Sequence, residues 1–179
     1  MVNIPNIITL IRIFLVPVFI MSVFYGKFKE ALGIFFFAAL SDALDGFLAR
    51  KFNKVTMLGV ILDPLADKAL IDSGYFLLSY TGKYIPIWLT VIVLSRDVLI
   101  LIGSWILSIF NKMDRIKPTY LGKATAFLQF FTLLATLLKL NCGFPNGSIS
   151  GALFFTTAIF TVASALQYTY RGIKELNGA

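Results

Sequence analysis

Six apolar stretches, near residues 7–25, 30–49, 57–80, 84–110, 119–140 and 149–170, follow one another, and no polar run between them is long enough to fold alone. Each approaches the roughly 20 residues a helix needs to cross a bilayer. In hydrocarbon every backbone N–H and C=O must find its partner within the segment, so such stretches can only be helices. The expected fold is therefore all-α: one domain over residues 1–179, a polytopic bundle of six transmembrane helices. Composition agrees, since 58% hydrophobic residues and a mean hydropathy of +0.85 are too apolar for a soluble domain of 179 residues.

The breaks carry turn or charge signals: Tyr25-Gly26-Lys27, Arg50 to Lys54, Thr81-Gly82-Lys83, Asn111 to Pro118, and Asn141 to Gly147. No internal repeat or low-complexity tract is evident. The N-terminus lacks a charged lead and a small-residue cleavage site, so it reads as a retained first helix. Alternate breaks share out the cations unequally. One side receives Arg12, Arg50, Lys51, Lys54, Lys112, Arg115, Lys117, Lys123, Arg171 and Lys174; the other receives Lys27, Lys29, Lys83 and Lys139. By the positive-inside rule both termini are expected in the cytoplasm. The net charge of +7 then faces anionic headgroups, which accounts for it better than nucleic acid does.

Histidine is absent. That excludes imidazole bases, nucleophiles and metal ligands, and with them phospholipase D-like chemistry, leaving carboxylates as the main chemical groups. Cys142 is the only cysteine and reads as a small apolar residue.

Against this background four acids stand out: Asp42 and Asp45 in the second stretch, Asp63 and Asp67 in the third. A carboxylate inside a bilayer is costly and needs a partner. The i, i+3 and i, i+4 spacings put each pair on one helical face, and a cytoplasmic turn between the stretches places both pairs at similar depth. Four converging carboxylates repel one another and would hold protons unless cations intervene. Two hard divalent ions, magnesium or manganese, suit oxygen ligands. Gly46 permits close approach to the backbone, Ala49 lies one turn on, and Arg50 offers a planar fork for phosphate. Metals beside an arginine suggest phosphoryl-type transfer. The rival is an ion or proton transporter using the acids as its path. It has no need of the glycines or the arginine, and the broken, repeated helices common in such proteins are not evident.

Asp42-Ala-Leu-Asp45-Gly46-Phe-Leu-Ala49-Arg50, eight residues, Gly59, three residues, Asp63, three residues, Asp67 resembles in full the signature of the CDP-alcohol phosphotransferases. The likeness extends over nearly the whole chain, from Asn3 to the sixth stretch. It implies a six-helix enzyme, commonly a homodimer in a prokaryotic cytoplasmic membrane, with a polar cavity open to the cytoplasm. Carried onto matching positions, Asp42, Asp45, Asp63 and Asp67 would hold two magnesium or manganese ions, and Asp67 would take the proton from the acceptor hydroxyl. Gly46, Ala49, Arg50 and Gly59, with Asn6 and Thr9 beside them, would bind the cytidine diphosphate of CDP-diacylglycerol. The acceptor oxygen would attack the phosphorus that carries the diacylglycerol, and CMP would leave.

The remaining polar residues are read less directly. Arg96 within the fourth stretch either binds acceptor phosphate or pairs structurally, and Asp97 reads as structural and pointing another way, since neighbours on a helix diverge. Lys117 and Lys123 flank the start of the fifth stretch, where they attract an anionic acceptor or mark topology; Pro118 is expected to start that helix. Lys68 reads as a charge balancer, and Asp72 carries no assigned role. The resemblance leaves two acceptors. The first is glycerol 3-phosphate, which suits Arg96 and Lys123. The second is phosphatidylglycerol, giving cardiolipin; Ser95-Arg96-Asp97-Val98 and Lys117-Pro118-Thr119 followed by Lys123 look like that branch.

Overall fold

A computed structural model describes the backbone of residues 4–52, 57–109 and 119–176, and side chains outside 1–10, 12, 42–67, 107–108 and 176 within those ranges. Six helices follow in order: α1 (Ile4–Phe24), α2 (Phe28–Phe52), α3 (Met57–Gly82), α4 (Ile87–Ile109), α5 (Tyr120–Cys142) and α6 (Gly147–Leu176). Every expected stretch holds a helix, and no strand occurs among the described residues. Among the described residues, three helices have spans long and apolar enough to cross a membrane: Ile87–Ile106, Tyr120–Cys142 and Gly147–Glu175.

Two helices outrun their apolar stretches. α2 continues through Arg50 and Lys51, and α6 through Arg171 and Lys174. Hydropathy marks where lipid contact ends, whereas the hydrogen-bond ladder goes on for as long as the backbone can be wound. The start of α5 also differs from expectation. Its cap is Thr119, whose Oγ1 accepts the Gly122 N–H at 2.9 Å, and the helix opens at Tyr120, not at Pro118. A threonine cap satisfies one of the first N–H groups of the helix, which have no partner within it; Pro118 itself lies outside the described residues.

Short turns close three hairpins. Gly26 (φ 70°) lies between α1 and α2. Lys83 (φ 53°) follows α3, and Gly143 (φ 72°) ends α5 by donating its N–H to the Lys139 carbonyl. α1 packs on both α2 and α3, α6 packs on both α4 and α5, and α2 and α3 meet α5 across the middle. Phe19, Phe35, Tyr75, Leu78, Leu89, Leu133 and Leu137 fill the centre. At Gly74 a methyl group would come within 2.7 Å of Leu133 Cδ2, so glycine is what lets α3 approach α5.

Polarity runs inside out. Phe14, Phe36, Phe37, Trp105, Phe127 and Phe155 face outward, while Gln129, Thr132, Thr157, Thr161 and Ser164 are buried. The buried hydroxyls and amide join α5 to α6. Thr132 and Thr157 share a hydrogen bond of 2.7 Å. Gln129 Nε2 donates to Thr161 Oγ1, and Thr125 Oγ1 to the Phe160 carbonyl at 3.0 Å. Lipid tails are as apolar as leucine, so helices in a bilayer associate through packing and bonds like these.

Candidate active site

The four signature aspartates occupy the joined ends of two helices. Asp42 and Asp45 lie in the C-terminal half of α2, with Gly46, Ala49 and Arg50 beyond them; Gly59, Asp63 and Asp67 lie in the N-terminal half of α3. Asn6 and Thr9 lie in the first two turns of α1, which packs on both. The side chains of these ten residues are not among those described. The backbone still fixes their registers. Phe52 and Met57 are five residues apart, so the helix ends lie within about 18 Å. At about 1.5 Å per residue, Asp45 and Asp63 sit some 10 Å in from those ends, and Asp42 and Asp67 about 15 Å.

One residue beyond Asp67 begins a polar network whose side chains are described. Lys68 Nζ lies 2.8 Å from Asp97 Oδ1, paired in charge though not aligned as a hydrogen bond. Arg96 Nη1 donates to the same Oδ1, and its Nη2 donates to Ser164 Oγ at 3.2 Å. The guanidinium carbon stands 5.9 Å from the centre of the Tyr168 ring. That ring abuts Gly122, where a methyl group would meet Tyr168 Cε2 at 3.0 Å and Thr119 Oγ1 at 3.1 Å. One chain of contacts therefore runs from α3 through α4 and α6 to the start of α5. Its centre is dry: the Asp97 side chain is 5% exposed and that of Arg96 7%, against 28% for Lys68.

This corrects the reading of Arg96 and Asp97 as diverging. Their Cβ atoms do diverge, but the arginine stem is long enough to bring its fork back to the neighbouring carboxylate. Lys68 balances charge, as expected. Lys123 is exposed, with its backbone N–H on the Thr119 carbonyl, and Lys117 lies outside the described residues. Two buried polar atoms close to the network, Arg96 Nε and Asp72 Oδ1, have no hydrogen-bond partner among the described residues. Such atoms are few in a folded protein and call for a partner such as water or an ion. Ser164, Tyr168 and the Thr119 cap are contributors that sequence reasoning missed. A threonine directly after a proline at a helix start was a usable signal for the cap.

No group of three metal-ligating side chains occurs among the described residues; the expected ligands Asp42, Asp45, Asp63 and Asp67 have side chains outside them. Their chemistry fits a metal centre. Eight carboxylate oxygens without nitrogen or sulfur are a hard donor set, suited to magnesium or manganese.

Residues 2–164 match the family model described as CDP-alcohol phosphatidyltransferase, and the chain belongs to that family. Among its relatives, the CDP-diacylglycerol--glycerol-3-phosphate 3-phosphatidyltransferase of Escherichia coli is 35% identical over 93% of this chain and 92% of its own length. The rat cardiolipin synthase (CMP-forming) is 35% identical over 97% of this chain. A probable phosphatidylglycerophosphate synthase of Mycobacterium tuberculosis is 31% identical over 98% of this chain and 84% of its own length. The chain spans 63% of the rat enzyme's length.

Proposed function

We propose that this chain transfers the phosphatidyl group of CDP-diacylglycerol to a glycerol-type alcohol and releases CMP, the acceptor being sn-glycerol 3-phosphate. One observation carries the reading. The whole eight-position signature lies within the matched residues, on two consecutive helices, α2 and α3. Asp42, Asp45, Asp63 and Asp67 would hold two divalent ions, which when bound polarise the phosphate and neutralise the charge left on CMP. Asp67 accepts the proton of the attacking hydroxyl. Arg50 grips the diphosphate through its planar fork, Gly46 and Gly59 let the nucleotide approach the helix backbones, and Ala49, Asn6 and Thr9 line the same site. Arg96, Lys123 and Lys117 draw the anionic acceptor to the site from the side of α4 and α5. The catalytic end and both termini face the cytoplasm, where cytidine nucleotides are, and two copies form a homodimer.

A second reading, cardiolipin formation from phosphatidylglycerol, is favoured by two observations: the rat cardiolipin synthase is as similar as the bacterial glycerophosphate enzyme, and Arg96 is already committed to Asp97 and Ser164. The test is CMP release by purified protein given CDP-diacylglycerol and magnesium, with each acceptor in turn and the product lipid identified by mass. Phosphatidylglycerophosphate formed from glycerol 3-phosphate supports the first reading. Cardiolipin formed only from phosphatidylglycerol replaces it with the second, and no release with either acceptor refutes both.

A further inference from the structure

Lys68 is the residue next to Asp67, and a lysine there is a hazard. Its ammonium sits on a flexible four-carbon stem, and a free ammonium beside a group of carboxylates pairs with them. The structure shows where that charge goes instead. Lys68 Nζ is 2.8 Å from Asp97 Oδ1 on α4, and the same oxygen also accepts from Arg96, itself fastened to Ser164 on α6. The Asp97 carboxylate is thus fixed by a second cation that is anchored to a third helix.

We propose that Asp97 is a positioning residue for the transfer reaction: it holds the Lys68 ammonium on the α4 side and so keeps it off the neighbouring Asp67 carboxylate. The inference rests on the phosphatidyl-transfer reading and adds a requirement to it. Arg96 has a supporting part, because its grip on Ser164 stops the Asp97 side chain from following Lys68. The network would also explain why an apolar helix tolerates an adjacent Arg96-Asp97 pair, since Lys68 and Asp72 of α3 lie beside it and offset its charges.

Asp97→Asn separates this role from plain support. The asparagine amide oxygen still accepts from Arg96, but the charge that holds Lys68 is gone. The expected result is a kcat lower by about 10- to 100-fold, the cost of a small misplacement in a site that works by orientation, with the KM for acceptor little changed. Binding of Mn2+ alone, followed by calorimetry on the same purified protein, weakens in parallel. Lys68→Met in the Asp97→Asn background removes the misplaced ammonium and restores both kcat and Mn2+ binding to the level of Lys68→Met alone. A purely structural Asp97 gives no such rescue. Asp97→Glu keeps the charge and retains most of the activity, which decides the matter where Asp97→Asn does not purify as a single species. Asp97→Asn with unchanged kcat, a double variant no better than Asp97→Asn, or Asp97→Glu as impaired as Asp97→Asn would each overturn the proposal. Wild-type protein that releases no CMP takes down the phosphatidyl-transfer reading and this one with it, whereas an active wild type without rescue refutes only the role of Asp97.

Discussion

The two partners of the Arg96–Asp97 pair should be unequal in what they cost to remove. Arg96→Met deletes a bond to a charged oxygen and a bond to Ser164, but it leaves Asp97 Oδ1 still paired with Lys68 at 2.8 Å. No charge is stranded, and methionine fills much of the space, so the loss is that of hydrogen bonds involving a charged group, about 1.5–3 kcal/mol, partly offset by apolar burial. Asp97→Ala does something different. It removes the carboxylate that both cations share and leaves them only Asp72 as an acidic neighbour, with the Arg96 side chain only 7% exposed, and breaking a buried pair from one side costs about 3–5 kcal/mol. The expected gap is about 2 kcal/mol, with Asp97→Ala the less stable. Equilibrium unfolding in mixed detergent micelles, followed by the fluorescence of Trp88 and Trp105, reads both variants on one scale. Equal costs, or a larger one for Arg96→Met, would mean that Lys68 does not share the carboxylate and that the network is drawn wrongly.

Asp67→Asn should abolish CMP release while leaving a monodisperse, folded bundle, because a metal ligand and the proposed base go together; purified Asp67→Asn with wild-type turnover would refute both assignments. Arg50→Ala should raise the KM for CDP-diacylglycerol far more than the KM for acceptor, measured by initial rates, and unchanged donor saturation counts against Arg50 in the donor site. Gly74→Ala should destabilise by about 1–3 kcal/mol, since its methyl group meets the fully buried Leu133 at 2.7 Å. Adding Leu133→Ala to that variant should recover part of the loss in the same unfolding assay, and simple additivity would show that the two helices do not touch there. Thr157→Val should cost about 1 kcal/mol by leaving Thr132 without its partner across α5 and α6, and a thermal midpoint equal to wild type would deny that the bond contributes.

The helices were legible because each is a run of apolar residues between turn signals, and the signature was legible because eight spaced positions carry their own register. What could not be read is the pairing of distant side chains. Nothing in Ser164 or Tyr168 marks them as partners of Arg96, 68 and 72 positions away, since both are ordinary residues of a helix rich in hydroxyls and aromatics. Spacing rules describe where Cβ atoms point, so they turn Asp97 away from Arg96, whereas the longer side chain closes the distance. The reach of α2 and α6 beyond their apolar stretches escaped for a related reason: hydropathy reports the surroundings of a helix, not its length.

The hydroxyl seam between α5 and α6 has a consequence for the membrane in which the protein works. Sliding α6 along α5 by half a turn, about 2.7 Å, would break the Thr132–Thr157, Gln129–Thr161 and Thr125–Phe160 bonds together in a layer closed to water, and a hydroxyl returns opposite Thr132 only after a full turn, where Thr161 stands four residues from Thr157. Bilayers of different thickness press on helices by tilting and shifting them, at a cost of only fractions of a kcal/mol per Å. A seam that yields all at once or not at all resists so soft a force. The frame that carries Ser164 and Tyr168 can then keep its dimensions while the surrounding lipid changes, including lipid whose composition depends on the product of the proposed reaction.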